Sequence, residues 1–324
     1  MAKKTLHTNY LKPKDYPDWD AFLSASAQAT IYGKSWYLQA LQCQFKILVV
    51  REEARIAGGI VLTRNVKNRF GNPLLCKYLG VYFGAFSGSE YNQETKRRKI
   101  IQALLIELEK LPDFDYYFHP QFSSFFPFDP KFENRVRYSY WMRLKDQSAD
   151  NIQHQFHAKL RSELKFADSQ EYELVKNLDF DMFFRICQDS FQQKGNAFPF
   201  THSFLKHYTA HLVKRKALQL YGVKDKAGII MAVAGILQDQ ATSTLILSGH
   251  NSEKIKRGAN EWLIYQCIQQ ALKTSDYFDF EGSMIPEIES FYRKFGGTFV
   301  PYLNVYKNTT RRFFTNRLRS FFKK

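Results

Sequence analysis

The chain has 324 residues, room for two cores of ~150 residues each, and it contains no run of ~18 uncharged apolar residues that would read as a membrane-spanning helix. Lys and Arg number 47 against 31 Asp and Glu, and the resulting net charge of +16 points to an anionic, phosphate-bearing partner without selecting a fold. Cys43, Cys76, Cys187 and Cys267 stand far apart with no CxxC pair, which argues against a zinc ribbon or a disulfide framework, and Met1 to His7 lacks the apolar stretch of a secretory signal, so a soluble cytoplasmic protein is expected.

In chain order, Phe45 to Leu62 (FKILVVREEARIAGGIVL) reads as a strand, a charged turn and a second strand, a β-hairpin. An apolar strand from Lys77 to Gly84 follows. Next comes a helix over Gln93 to Leu111, with Ile101, Leu104, Leu105, Leu108 and Leu111 on one face. Asp115 to Pro120 and Arg137 to Leu144 complete the first half as strands. The polar stretch Lys145 to Asp150 is the linker, and helices are predicted over Asn151 to Asp168, Phe180 to Gln193 and Ser203 to Val213.

The second half repeats the first. Leu218 to Leu237 forms a hairpin, Thr242 to Gly249 a strand, Ala259 to Lys273 a helix, and Asp276 to Gly282 and Phe299 to Tyr306 two more strands. A strand, helix, strand order implies a crossover between parallel strands in an otherwise antiparallel sheet. The expected fold class is therefore α/β (α+β): two tandem mixed-sheet domains, 1–150 and 151–308, with helices between them. A basic amphipathic tail, 309–324, would follow. In it Phe314, Leu318, Phe321 and Phe322 form a stripe opposite most of the cations, the pattern of a helix lying on an anionic membrane surface.

Some chemistries are disfavoured directly. There is no GxSxG elbow, Walker A loop or GxGxxG turn. His207 and His211 have the spacing of two metal ligands on a helix, but no HExxH surrounds them and no third ligand suggests itself, so no metal is expected. What stands out is the helix starting near Ala259, preceded by Lys254, Lys256, Arg257 and Gly258. Helix-start amides and the positive dipole end favour an anion there, and a glycine permits close backbone approach. The corresponding first-half stretch, Ser87 to Glu94, carries carboxylates instead. Period-2 alternation would also place Tyr277, Asp279 and Glu281 on one strand face, offering carboxylates for removing a proton from an amine.

Three short motifs, in this order and at this spacing, carry a resemblance. They are His157-Ala158-Lys159-Leu160-Arg161, Tyr277-Phe278-Asp279-Phe280-Glu281-Gly282-Ser283 and Phe291-Tyr292-Arg293-Lys294-Phe295-Gly296-Gly297. With the repeated element order from about Trp19 to Tyr306, the chain resembles the double-GNAT FemAB-like family, which transfers aminoacyl or other acyl groups to amines, often in cell-envelope synthesis. The resemblance implies an acyltransferase with no tightly bound cofactor, using acyl-CoA or aminoacyl-tRNA as co-substrate and an amine, free or lipid-linked, as acceptor. It also implies a place at the cytoplasmic face of the plasma membrane.

In that framework Lys254, Lys256, Arg257, Gly258 and Asn260 hold donor phosphate. Glu281 or Asp279 orients or deprotonates the amine, and Lys159, Arg161, Lys165 and Tyr292 contact substrate. The sequence departs from the usual GNAT phosphate loop, Q/R-x-x-G-x-G/A, in having Ile255 at the polar position and Asn260 at the small one. It also has Phe291-Tyr292 where FemAB-like sequences often read Phe-Lys. Two other readings compete: an acyl-CoA-dependent N-acyltransferase acting on a small molecule or polysaccharide precursor, and a non-catalytic RNA- or membrane-binding protein.

Overall fold

The computed structural model describes residues 6–86, 89–122, 131–282 and 286–307. The expected tail helix over 309–324 lies outside them, as do Ser87 and Gly88 of the acidic first-half stretch and Ser283 of the second motif. The chain divides into two compact units, one of residues up to Arg137 together with those from Pro301, the other Tyr138–Val300.

In the first unit β1 (Leu6–Tyr10), α1 (Tyr16–Ser24) and α2 (Ser35–Ala40) precede the predicted hairpin, β2 (Phe45–Glu52) and β3 (Arg55–Thr63). The hairpin is closed by Glu53 at φ 56. With β4 (Val81–Phe83) these strands make an antiparallel sheet in the order β1-β2-β3-β4. Gly59 is required where it stands. A Cβ there would lie 2.8 Å from both the Leu48 carbonyl and the buried Trp19 ring, so the strand and α1 meet only because this position has no side chain.

The predicted helix is α3 (Glu90–Leu108), buried through Ile101, Leu104, Leu105 and Leu108. The next strand, β5 (Asp115–Tyr117), departs from expectation. It does not extend the β1–β4 sheet but pairs antiparallel with the end of the last strand of the chain, Tyr117 opposite Asn304.

A long strand, β6 (Phe132–Arg143), leads into the second unit. There α4 (Ala149–Gln155), α5 (Ala158–Asp168), β7 (Glu173–Lys176), α6 (Phe180–Gln193) and α7 (His202–Lys214) follow. The single helix predicted over Asn151 to Asp168 is two. Phe156 is extended (φ −70, ψ 146), and the next amide, of His157, donates to the Lys294 carbonyl at 2.8 Å, so a tertiary bond replaces a helical one. The second hairpin, β8 (Leu218–Lys224) and β9 (Ile230–Gln238), is as predicted, and β7 adds an edge strand to it.

Then come β10 (Thr242–His250), α8 (Ala259–Ala271), β11 (Tyr277–Asp279), α9 (Pro286–Arg293) and β12 (Thr298–Lys307). The β10-α8-β11 crossover joins parallel strands, as the element order implied. Alternation along β9 divides the helices between the two faces of this sheet. Gly235 faces Phe183 of α6, while Ala234 and Ile236 join the core built around α8.

The last strands of the two sequence copies are exchanged. β6, which closes the first copy in sequence, pairs with β11, Tyr277 opposite Arg143, and β12, which closes the second, pairs with β5. Among the described residues no helix is long and apolar enough to cross a membrane.

Candidate acyl-transfer site

The loop between β10 and α8 brings Lys254, Lys256, Arg257, Gly258 and Asn260 together, with the first three exposed. The loop is braced by carboxylates. Lys256 Nζ lies 2.5 Å from Asp225 Oδ2, and Arg257 forks onto Glu163 of α5 at 2.8 and 3.2 Å while its guanidinium covers Phe166, 4.5 Å from the ring centre. Glu163 is held below the usual carboxylate range by the Arg257 hydrogen bond, with Lys159 and Lys294 adding to the positive field.

Gly258 is the N-cap of α8, at φ 76, and no side chain caps the helix. Glycine also serves packing at this position. A Cβ there would lie 3.0 Å from the Glu163 carbonyl and 3.2 Å from Ala167 Cβ, so the position lets α8 approach α5. The first amides of α8 nevertheless remain without a side-chain acceptor at the dipole's positive end, the arrangement that favours an anion.

Asp225 organises the neighbouring β8–β9 turn, its Oδ1 accepting the Ala227 and Ile229 amides at 3.0 Å each. The Lys256 hydrogen bond, then the backbone bonds, hold its carboxyl below the ordinary value. A depressed carboxyl stabilises the fold above the unfolded pKa, and the contribution is lost as pH falls through the folded one. In wild type the melting temperature should therefore drop below pH ~4, and Asp225→Asn should flatten that limb and lower stability at pH 7. Superimposable wild-type and variant melting profiles from pH 3 to 7 would remove this role.

The parallel β10–β11 ladder covers only Thr242–Thr244 against Tyr277–Asp279, whereas β10 runs on beside β9 to His250. The β9–β10 register skips Ile246, a bulge that leaves one residue of the strand outside the ladder. Beyond that bulge, the Gly249 Cα faces the α6 backbone, where a Cβ would meet Cys187 Cα at 2.8 Å. Ser248 and His250 therefore occupy the opposite face.

The Tyr292 phenol of α9 lies near Ser248 on that face, with the Glu281 carboxylate close enough to act on it. Burial, reinforced by that negative charge and opposed by the Ser248 hydroxyl, pushes the phenol up to about 12. His250 is half-buried, and burial, then the nearby Lys194, lowers its imidazole below the usual value, leaving it neutral at pH 7.

The two carboxylates predicted to share a face do not. Asp279 is 1% exposed, and its Oδ1 accepts the Ser139 hydroxyl at 2.6 Å and the Glu281 amide at 2.7 Å. The strand ends there, and Glu281 (φ 58) and Gly282 (φ 48) are both left-handed, so the period-2 rule stops two residues short of Glu281. Gly282 sits against Ser139, where a Cβ would come within 2.8 Å of Cα. Asp279 thus fixes the turn that presents Glu281.

The other expected contacts lie on α5. Lys159 and Lys165 are exposed, and Arg161 is committed to backbone carbonyls at the end of α4, those of Phe156 and His154. His207 and His211 are stacked, ring centres 6.0 Å apart, and no group of metal-ligand residues occurs among the described residues. Ser248 and His250 escaped the sequence reading. The signal was present as polar residues alternating with Leu247 and Gly249, but choosing between two faces of a buried strand needs the helices that cover them.

Residues 145–284 match the family described as Acetyltransferase (GNAT) domain. No curated protein sequence matches the chain. Among solved structures, FemX shares the fold with a TM-score of 0.64 at 10% identity, covering 91% of this chain and 96% of that one. L-PGS from Bacillus licheniformis aligns with a TM-score of 0.55 at 12% identity, covering 92% of each chain. A tandem GNAT protein from the clavulanic acid biosynthesis pathway aligns with a TM-score of 0.52 at 11% identity, covering 94% of this chain and 98% of that one. Residues 145–284 thus match a GNAT acetyltransferase domain, and the chain shares its overall fold with FemX and with a tandem GNAT protein.

Proposed function

We propose that the protein transfers an activated aminoacyl or acyl group to an amine of a cell-envelope precursor. One observation carries this reading: Ser248, Tyr292 and Glu281 converge where β10 runs on past the end of its ladder with β11. The donor lies with its phosphates toward Lys254, Lys256, Arg257, Asn260 and the first amides of α8, and its acyl carbon toward Ser248. Lys159 and Lys165 of α5 add positive charge on the approach. The envelope acceptor and a position at the inner membrane face are supported by the FemAB-like resemblance and by the basic tail sequence.

In the transfer, the amine nitrogen forms a bond to the acyl carbon as the bond to the donor's oxygen or sulfur breaks. Glu281 takes the proton leaving nitrogen, the Tyr292 hydroxyl gives its proton to the departing atom, and the amide freed at the bulge near Ile246 is the candidate donor to the carbonyl oxygen. A phenol at about 12 is a weak acid. A leaving thiolate, whose acid ionises at ~8.5, needs little help from it, whereas an alkoxide leaving an ester gains much more. The two donor classes, aminoacyl ester and acyl-CoA, are therefore separated by how far transfer depends on Tyr292.

Glu281→Gln is expected to abolish transfer while donor binding changes by less than about twofold, because only proton acceptance is removed. Single-turnover assays with charged tRNA and with acyl-CoA, alongside native mass spectrometry, test this. Full activity in the variant, or retention of neither donor by the wild type, would overturn the proposal.

A further inference from the structure

The first unit carries a second assembly that the transfer chemistry does not use. Pairing of Asp115 with Tyr306 and of Tyr117 with Asn304 places Asp115, Tyr117, Tyr302, Asn304 and Tyr306 on one face of β5 and β12. Arg135 and Arg137 of the adjacent strand β6 lie over this face, Arg135 4.3 Å from the Tyr306 ring centre and Arg137 5.2 Å from that of Tyr117. The ring of Tyr302 meets Tyr117 edge-on at 6.1 Å and Tyr78 at 5.2 Å, and Lys77 Nζ stands 5.2 Å from the Tyr78 ring and 6.0 Å from the Tyr302 ring.

The row ends at His119, 5.5 Å from Tyr78, whose imidazole burial holds at about 4, so it contributes a neutral ring and no charge. Both carboxylates on the face are engaged. Asp115 accepts from Asn304 Nδ2 at 2.8 Å, and Glu133 from the Tyr306 hydroxyl. Tyr117, Tyr302 and Arg137 are partly buried and Arg135 is exposed.

We propose that this face binds unpaired nucleotides, with bases stacking on Tyr302 and Tyr117 and phosphates held by Arg135, Arg137 and Lys77. Aromatic rings interleaved with cations on a partly exposed sheet face, with Asn304 and Tyr306 buried beneath, match the two things a single strand offers, π-faces and a charged backbone. A lipid surface would ask for aliphatic side chains, and this row has none. The net charge of +16 favours the same polyanion. The inference does not rest on the transfer reading, since it concerns a strand that carries no acyl group and a different unit of the chain.

The test is binding of fluorescein-labelled octauridylate to the full-length protein, measured by anisotropy over a salt series. Tyr302→Ala should weaken binding about tenfold, and Arg137→Gln should reduce the slope of log K against log salt by about 0.7. An abasic strand of the same length should bind like octauridylate does to Tyr302→Ala. Because Tyr302→Ala could disturb β12, the Arg137→Gln slope and the abasic strand decide the matter by themselves if that variant melts early. The proposal fails if octauridylate does not bind at low salt. It also fails if both face variants and the abasic strand match wild type with octauridylate while a full-length variant with Arg311, Arg312, Arg317 and Arg319 changed to Gln loses binding, or if the face variants lose affinity for anionic vesicles instead.

Discussion

Tyr292→Phe is expected to lower kcat by at least ~10²-fold, the usual contribution of a well-placed general acid, with KM for the donor nearly unchanged. The substitution removes one hydroxyl from a ring packed against Phe280, ring centres 5.4 Å apart, so the ring itself stays in place. The loss should be larger with an aminoacyl ester than with a thioester, because only the poorer leaving group depends on the proton. Steady-state and single-turnover rates with both donors measure the difference. Equal and small effects on both would remove Tyr292 from the chemistry and leave it a packing residue. The high-pH limb offers a second check. The folded phenol titrates near 12, so wild-type kcat should show no phenol-dependent decline up to pH ~10, where an unperturbed tyrosine begins to ionise.

Asp279→Ala should have the largest effect on the fold. The buried carboxylate accepts hydrogen bonds from Ser139 and from the Glu281 amide. Its truncation removes the acceptor of both, at about 1.5 to 3 kcal/mol for each bond to a charged group. A total loss of about 3 to 6 kcal/mol in a urea-unfolding series is expected. Asp279→Asn, which keeps an acceptor, should lose less than half of that.

Activity should fall in Asp279→Ala even under conditions where the protein remains folded. Glu281 at φ 58 occupies a region that disfavours a side chain by roughly 1 kcal/mol, and the Asp279 bond is what holds it there. A melting curve like that of wild type would show that the turn is fixed by other contacts.

The repeated order of strands and helices was legible because each element is written in a local code. Leu218 to Leu237 reads as a hairpin from its apolar runs and its Asp225-to-Gly228 turn, and Ala259 onward as a helix from its spacing. The cationic loop before α8 was legible as well, as a run of side chains next to a helix start. Its carboxylate partners were not, because Asp225 lies 31 residues from Lys256 and Glu163 lies 94 from Arg257.

Asp279 and Glu281 show where the local code fails. Alternation assigns faces only while the chain stays extended, and the consecutive left-handed residues Glu281 and Gly282 end it. The break between α4 and α5 has a similar origin, since the His157 amide binds the carbonyl of Lys294, 137 residues away.

The sequence by itself determined the element types, the doubled order and the acyltransferase resemblance, all of which rest on neighbours within a few turns of chain. Only the tertiary structure decided that β6 pairs with β11 and β12 with β5, that Asp279 is buried beneath the turn it fixes, and that Ser248 shares a strand face with His250 and meets Tyr292. Pairing between strands and burial of a side chain depend on which distant surfaces come together, and a periodic pattern records only that a surface is apolar, never which partner covers it.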